Sequence, residues 1–249
     1  MTDYKERFFG LSDFCAFNIL KYTSLSRVMR SESQFKHPYS SSLQIHFKIN
    51  YLLHYCKGKR VVHFGFVDSP FTGSSVNSKT FLHSRLRKEC EELFGIDHDA
   101  NAVLLYSRVT GDSNVAVGDI YNIDSSIFAL QNADIFLLGE ILEHLSNPGI
   151  ALQSIYNSMP ESSELIITVP NAFGLSPLRG ALKAVEIVHH DHVCWYSIHT
   201  LTTLLSRHHF RLKNICYYAA GEGERLGILN RAFPSLSDGI IGIFQKQAK

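Results

Sequence analysis

The chain is short of several features that would place it quickly. Its five cysteines, Cys15, Cys56, Cys90, Cys194 and Cys216, are scattered and odd in number, with no CxxC pair. That excludes a disulfide framework and a cysteine zinc site as first expectations and points to reduced thiols in a cytoplasmic protein. No apolar run approaches the roughly 20 residues that span a bilayer, so no membrane partner is expected. The opening residues MTDYKERFFG are charged and lack a signal-peptide core. The formal net charge is only +1, which gives no electrostatic reason to expect a nucleic-acid partner. Glycine is scarce where it would be most telling. The stretch GKRVVHFGFVDSPF, residues 58–71, reads as a buried strand entering a turn, yet only Gly65 stands where a nucleotide loop carries two or three glycines.

What is present suits a soluble globular chain. Of its 249 residues, 45% are hydrophobic and 19% charged, enough to bury a full core. Residues 1–57 read as a helical, aromatic-rich extension. Leu43, Phe47, Leu52 and Tyr55 approximate helical spacing in a helix expected from Ser40–Ser42 to Gly58. From residue 58 strands and helices alternate. RVVHFGF, FGID, NVAVGDI, ADIFLLGE and SELIITVPN read as strands. A helix is expected over residues 78–95 with Ser78 as N-cap, and others over 99–109, from Glu140 to about Met159, and over 197–210. RLKNICYYAA and DGIIGIFQK close the chain as an antiparallel pair. The alternation predicts a mostly parallel sheet of seven strands covered on both faces, with ligands at the carboxyl ends of its strands.

The strand ends carry the chemistry. They are Gly65, Asp97 in GIDHD, Asp119 in VGDI, Glu140 in LGEILEHLSNP, and Asn171 in VPNAF. An acidic residue at a strand end is often just a helix cap. In this order, however, with HDHVCWYSIHTLTTLLSRHHF from His190, the set resembles the class I S-adenosylmethionine-dependent methyltransferases over residues 59–249. It is most similar to the small-molecule and glycan group with EVLEHL, PN and DHV motifs. The resemblance implies a Rossmann-like α/β fold and S-adenosyl-L-methionine as cofactor, with S-adenosyl-L-homocysteine as product. Gly65 and Phe66 would lie against the methionine portion. Asp97, beside His98, would accept from the ribose hydroxyls. Asp119 after Gly118 would meet the adenine amine, with Ile120 on the ring. Gly139 and Glu140 would floor the site beside the sulfur. Two positions depart from the family: His63, where an acid is usual, and Val67, where a glycine is usual. A sulfonium cofactor without phosphate needs no full nest of glycine amides. A β-branched Val67 resists positive φ, so a differently shaped loop is expected.

A cluster of histidines and carboxylates stands over the same edge. If a helix began at Glu140, then Glu140, Glu143 and His144 would share a face, and VHHDHVCW adds His189, His190, Asp191 and His192. One reading is structural: Glu140 orients the loop and Glu143 is solvated. In a second, His144 or His192 is a general base, tuned by Asp191 or Glu143, for methyl transfer to a hydroxyl. In a third, Glu140, Glu143, His144 and His190 or His192 ligate a divalent metal, an arrangement that resembles the small-RNA 3′-end methyltransferases. A metal is not the favoured cofactor. Phe8, Phe9, Phe14, Phe17 and Tyr22 could form a lid, and Arg225 and Arg231 could bind an anionic substrate. Trp195 and Tyr196 could stack on a substrate ring or anchor their loop. The expected activity is O-methylation of a small-molecule or sugar-type acceptor. A metal-dependent RNA ribose 2′-O-methyltransferase and a non-catalytic partner subunit are the alternatives. A homodimer is compatible with everything above.

Overall fold

The computed structural model describes residues 44–69, 71–76, 78, 80–220 and 232–247. Eight strands form one sheet: β1 (Ile45–Phe47), β2 (Arg60–Phe64), β3 (Glu92–Asp97), β4 (Val115–Val117), β5 (Ile135–Gly139), β6 (Glu164–Pro170), β7 (Phe210–Ala219) and β8 (Gly239–Lys246). Their order is β1-β7-β8-β6-β5-β2-β3-β4. Only β8 runs against its neighbours, β6 and β7. The other pairs are parallel. The carboxyl ends of seven strands therefore open on one edge, as expected for an alternating chain.

Burial on both faces explains the near-continuous apolar strands. Along β2, Val62 and Phe64 join a core with Phe136, Leu138, Leu165 and Ile167, packed under helices at Pro148–Ser158 and Ile198–Arg207. Val61 faces the opposite core with Leu137 and Ile166, under a helix at Lys48–Cys56 that contributes Leu52 and Cys56. This two-residue alternation is the strand period. Two helices start on capping residues that the sequence reading had not singled out. Asp99 accepts from Asn101 and Ala102 amides to cap Ala100–Thr110, and Ser197 forms a capping box with Thr200. No helix among the described residues is long and apolar enough to cross a membrane.

Three elements differ from expectation. The helix sought from Ser40 begins at Lys48, because Ile45–Phe47 pairs with the edge of β7 as an eighth strand. An open edge of unpaired backbone is costly to leave bare, and tertiary pairing overrides helical spacing there. Residues 78–95 do not make one helix. Leu82–Leu86 is helical, Glu92 already pairs with Arg60, and the Ser78 hydroxyl bonds Thr80 rather than capping. After β5 the chain turns through a short 3₁₀ segment, Leu142–His144, before the helix that starts at Pro148. The aromatics proposed as a lid, and Arg225 and Arg231, lie outside the described residues.

One glycine shapes the edge. Gly239 sits opposite Tyr218 across β7 and β8, and a Cβ there would lie 2.0 Å from the Tyr218 ring. Gly239→Ala should therefore push that ring aside and destabilise the protein by about 1–3 kcal/mol, read from urea unfolding midpoints.

Candidate functional site

The edge begins at Gly65, which follows β2 with φ +62°. A side chain would be strained there, and its Cβ would fall 2.6 Å from Ile141 Cδ1. The chain turns once at this residue and is then held by Asp97: the Val67 amide donates to Asp97 Oδ2 at 3.3 Å. Val67 has no positive φ; among the described residues only Glu140, Ala184 and His209 do without being glycine. The loop thus avoids the conformation that a β-branched residue resists. Phe66 turns inward. Its ring packs edge-on against Tyr106 at 5.0 Å and over His83 at 4.4 Å, in a small core of its own.

Asp97 ends β3 almost wholly buried. Its other oxygen accepts from the Asp99 amide at 3.0 Å and lies 3.3 Å from His98 Nδ1, whose ring is exposed. Burial raises the Asp97 pKa, and the two amides oppose that shift. Gly118 and Asp119 follow β4. Asp119 is exposed and accepts from the Tyr121 amide at 2.9 Å, while Ile120 packs against the main core. His63, in the position usually acidic, is buried, with Nδ1 3.1 Å from Nδ1 of buried His83. Burial lowers the His63 pKa to about 3 and the His83 pKa well below its usual value, so both rings are neutral. A Cβ at Gly139 would lie 3.5 Å from His63 Nε2.

Glu140 is the strained residue of the edge, with φ +55°. Its amide donates to the carbonyl and hydroxyl of Thr168 on β6. Its Oε1 receives Lys48 Nζ at 2.8 Å, from the residue after β1, and the Tyr218 hydroxyl from β7. Burial would raise its pKa, but Lys48 and Tyr218 hold it below the usual carboxylate value. Because Glu140 is left-handed and no helix starts there, the expected common face of Glu140, Glu143 and His144 does not form. Nor is Glu143 solvated: it is 1% exposed, with no hydrogen-bond partner on either carboxylate oxygen. Burial, reinforced by the charge of Glu140, pushes its pKa up to about 8.

The loop before the Ile198 helix folds back on this segment. The amides of Val193 and Cys194 donate to the Glu143 carbonyl at 2.9 and 3.2 Å, and the Tyr196 hydroxyl to the Leu142 carbonyl. That places three imidazoles together. Ligand nitrogens of His144, His189 and His192 all lie within 4.8 Å of one another. The His144 and His192 rings are 4.6 Å apart and nearly perpendicular. Burial lowers the pKa of both, assisted by the neighbouring histidines and opposed by Asp191 and Glu140. His190 is exposed and pairs with Asp191 at 3.2 Å. Asn171, of the PN motif, is structural. Its Nδ2 donates to the carbonyls of Ser235 and Ser237, tying β6 to the approach of β8.

No protein-family model matches the chain, and no curated protein matches it in sequence. Solved structures do match. The small RNA methyltransferase HEN1 shares 16% identity over 86% of this chain and 28% of that one, with a TM-score of 0.54. A SAM-dependent methyltransferase from Archaeoglobus fulgidus shares 18% over 80% and 91%, TM-score 0.52. An S-adenosylmethionine-dependent methyltransferase from Clostridium acetobutylicum shares 9% over 94% and 100%, TM-score 0.54. The fold is that of the class I methyltransferases.

Within a methyltransferase fold the edge residues suit an adenosyl group. Two carboxylates stand at successive strand tips, and a carboxylate has about four acceptor positions. The amides of Val67 and Asp99 take one on each Asp97 oxygen, which leaves acceptors for a diol. Gly65 presents bare backbone. Sequence reasoning missed Lys48, Tyr218 and His83, and placed His189 in the cluster without giving it a role. The first opens the Lys48–Cys56 helix and the second lies on β7, and no local spacing joins them to Glu140.

Glu143 yields a test. Below about pH 4.5 it is protonated in both states; between 4.5 and about 8 the unfolded chain ionises while the folded one keeps its proton, so stability is lost with rising pH. Glu143→Gln removes that loss. Melting temperatures should show the variant gaining on the parent steadily from pH 5 to pH 8; a constant offset would place Glu143 outside a low-dielectric site.

Proposed function

We propose that the protein is an S-adenosylmethionine-dependent O-methyltransferase acting on a small hydroxylated acceptor, with His192 or His144 as general base. The observation that carries this is the pair of neutral, partly buried imidazoles on the segments that follow β5 and precede the Ile198 helix, above the strand tips that suit the cofactor. The cofactor would supply an electrophilic methyl group; Gly65, Asp97, Asp119 and Gly139 would hold it. The chain's own residues then have two tasks. One is to align the acceptor hydroxyl, which alone can contribute several kcal/mol. The other is to take its proton, and an imidazole whose pKa lies below its usual value is already unprotonated at neutral pH. Glu140, committed to Lys48 and Tyr218, serves as a positioning residue that fixes the turn carrying His144.

A metal-assisted reading is favoured by one observation. Three imidazoles within 4.8 Å of one another suit a borderline divalent ion. The partly buried set is His144, His189 and His192; a second, exposed one is His189, His190 and Asp191. A small-RNA methyltransferase among the structural neighbours would lend that reading a ribose hydroxyl as acceptor, although a net charge of +1 gives little attraction for phosphates. Prolonged chelation separates the two readings: His192-based catalysis survives it, and a metal site loses both activity and thermal stability.

Three measurements test the main proposal. Calorimetric titration with S-adenosylhomocysteine should give saturable heat, and Asp97→Ala should weaken it by roughly 1–3 kcal/mol; unchanged affinity would move the ribose elsewhere. His192→Ala should slow turnover about 10²- to 10⁴-fold, and a drop below tenfold would remove it as the base. With a base pKa displaced downward, kcat/KM should be level above about pH 6.5 and fall only on the acid side.

A further inference from the structure

The segment between β6 and the Ile198 helix is unusually apolar for an exposed one. Its helix, Leu175–Leu182, fully buries only Gly180, while Leu178 and Leu182 face solvent. Val185, Ile187 and Trp195 are exposed as well. These side chains are not scattered. Phe173, Leu178, Ala181, Val185 and Trp195 wall a cleft of about 670 Å³, a volume suited to an organic ligand of moderate size. A second cavity of about 190 Å³ adjoins it, lined by His189, His192, Asn171 and Asp238. The two share Pro177, Ile187 and Trp195. Trp195 stands at the junction: its ring centroid is 6.4 Å from that of His192, and its Nε1 donates to Glu186 at 3.3 Å. A larger cleft, about 770 Å³, opens beside Tyr121 and the Pro148–Ser158 helix. It is walled largely by serines and asparagines and includes none of the three clustered histidines.

From this juxtaposition we infer that the acceptor is amphipathic: a hydroxyl directed to His192 and His189 in the small cavity, whose walls are otherwise largely apolar, on an aromatic or alkyl body that fills the apolar cleft past Trp195. The inference rests on the methyl-transfer reading of the same site and narrows its substrate class. A free sugar or nucleotide would leave the apolar walls exposed to water. An apolar body of moderate size buries them at roughly 25 cal/mol for each Å² removed from water. The small cavity accounts for the orientation: its volume of about 190 Å³ admits a small group rather than the body, and His189 and His192 there can engage a hydroxyl.

Trp195 is the only tryptophan in the chain, so its emission reports on the cleft directly. In the full-length protein, 2-naphthol should change that emission saturably, whereas glucose and adenosine should not. Leu178→Asp, a change at an exposed position, should weaken naphthol binding at least tenfold without altering S-adenosylhomocysteine binding. The inference is overturned if naphthol leaves the emission unchanged, or if glucose or adenosine matches it. It is equally overturned if the apolar walls prove to be covered by a second copy, seen as a concentration-dependent dimer that Leu178→Asp dissolves. Failure of naphthol with S-adenosylhomocysteine still bound would overturn the amphipathic acceptor and leave methyl transfer standing. Naphthol binding without S-adenosylhomocysteine binding would overturn methyl transfer and the acceptor role with it, leaving only an apolar binding cleft.

Discussion

The carboxyl edge depends on one interaction, the contact of Glu140 with Lys48 and Tyr218. Glu140 adopts a left-handed backbone that costs a non-glycine residue on the order of 1 kcal/mol or more. What offsets that cost comes from two other strands and the first residue of the Lys48–Cys56 helix. Thr168 on β6 accepts the Glu140 amide; Lys48, entering from β1, pairs with the carboxylate; and Tyr218, from β7, donates to it. The turn after β5 is therefore set by groups far away in sequence. A glycine would relax the backbone but would give Lys48 and Tyr218 nothing to hold. The eighth strand gains a reason beyond covering an edge, because it delivers Lys48 to the site.

A second carboxylate makes up for missing glycines. In this chain Asp97 bonds the Val67 amide as well as the Asp99 amide, so the loop after β2 is fixed by a side chain from β3 rather than by successive left-handed residues. The same oxygens are the acceptors proposed for a ribose. On that proposal, cofactor affinity and loop shape would be coupled through one residue. The neutral His63–His83 pair extends this pattern, since it fills with uncharged rings a place that usually carries a carboxylate.

Much of this was legible in the sequence, and what was not has a common cause. Strands β2, β5 and β6 announced themselves by continuous apolar runs, because those signals are local; the cap expected at Ser78 does not form, while Asp99 and Ser197 cap their helices. The order of acidic strand tips identified the fold for the same reason. The failures were all tertiary. Ile45–Phe47 has helical spacing but pairs with β7. Glu140, Glu143 and His144 have the spacing of one helical face, yet the turn at Glu140 sends the first carboxylate to Lys48 and buries the second. Asn171, read as part of a motif at the site, spends its amide on Ser235 and Ser237. His189 was one of several neighbouring histidines, and only the docking of its loop on Glu143 distinguishes it from His190.

That docking also explains why two carboxylates three residues apart have opposite chemistry. Glu140 stays ionised because a lysine and a phenol face it; Glu143 keeps its proton because burial and the nearby Glu140 charge both disfavour a second anion. Environments that separate two titratable groups in this way commonly divide their roles. Here the ionised member fixes geometry, and the neutral one lets the histidine loop close without bringing another charge. In the proposed reading His144 and His192 meet the acceptor beside a Glu140 carboxylate that Lys48 already balances. The proposed acceptor, an uncharged hydroxyl on an apolar body, would bring no further charge to these paired carboxylates and would cover the apolar cleft.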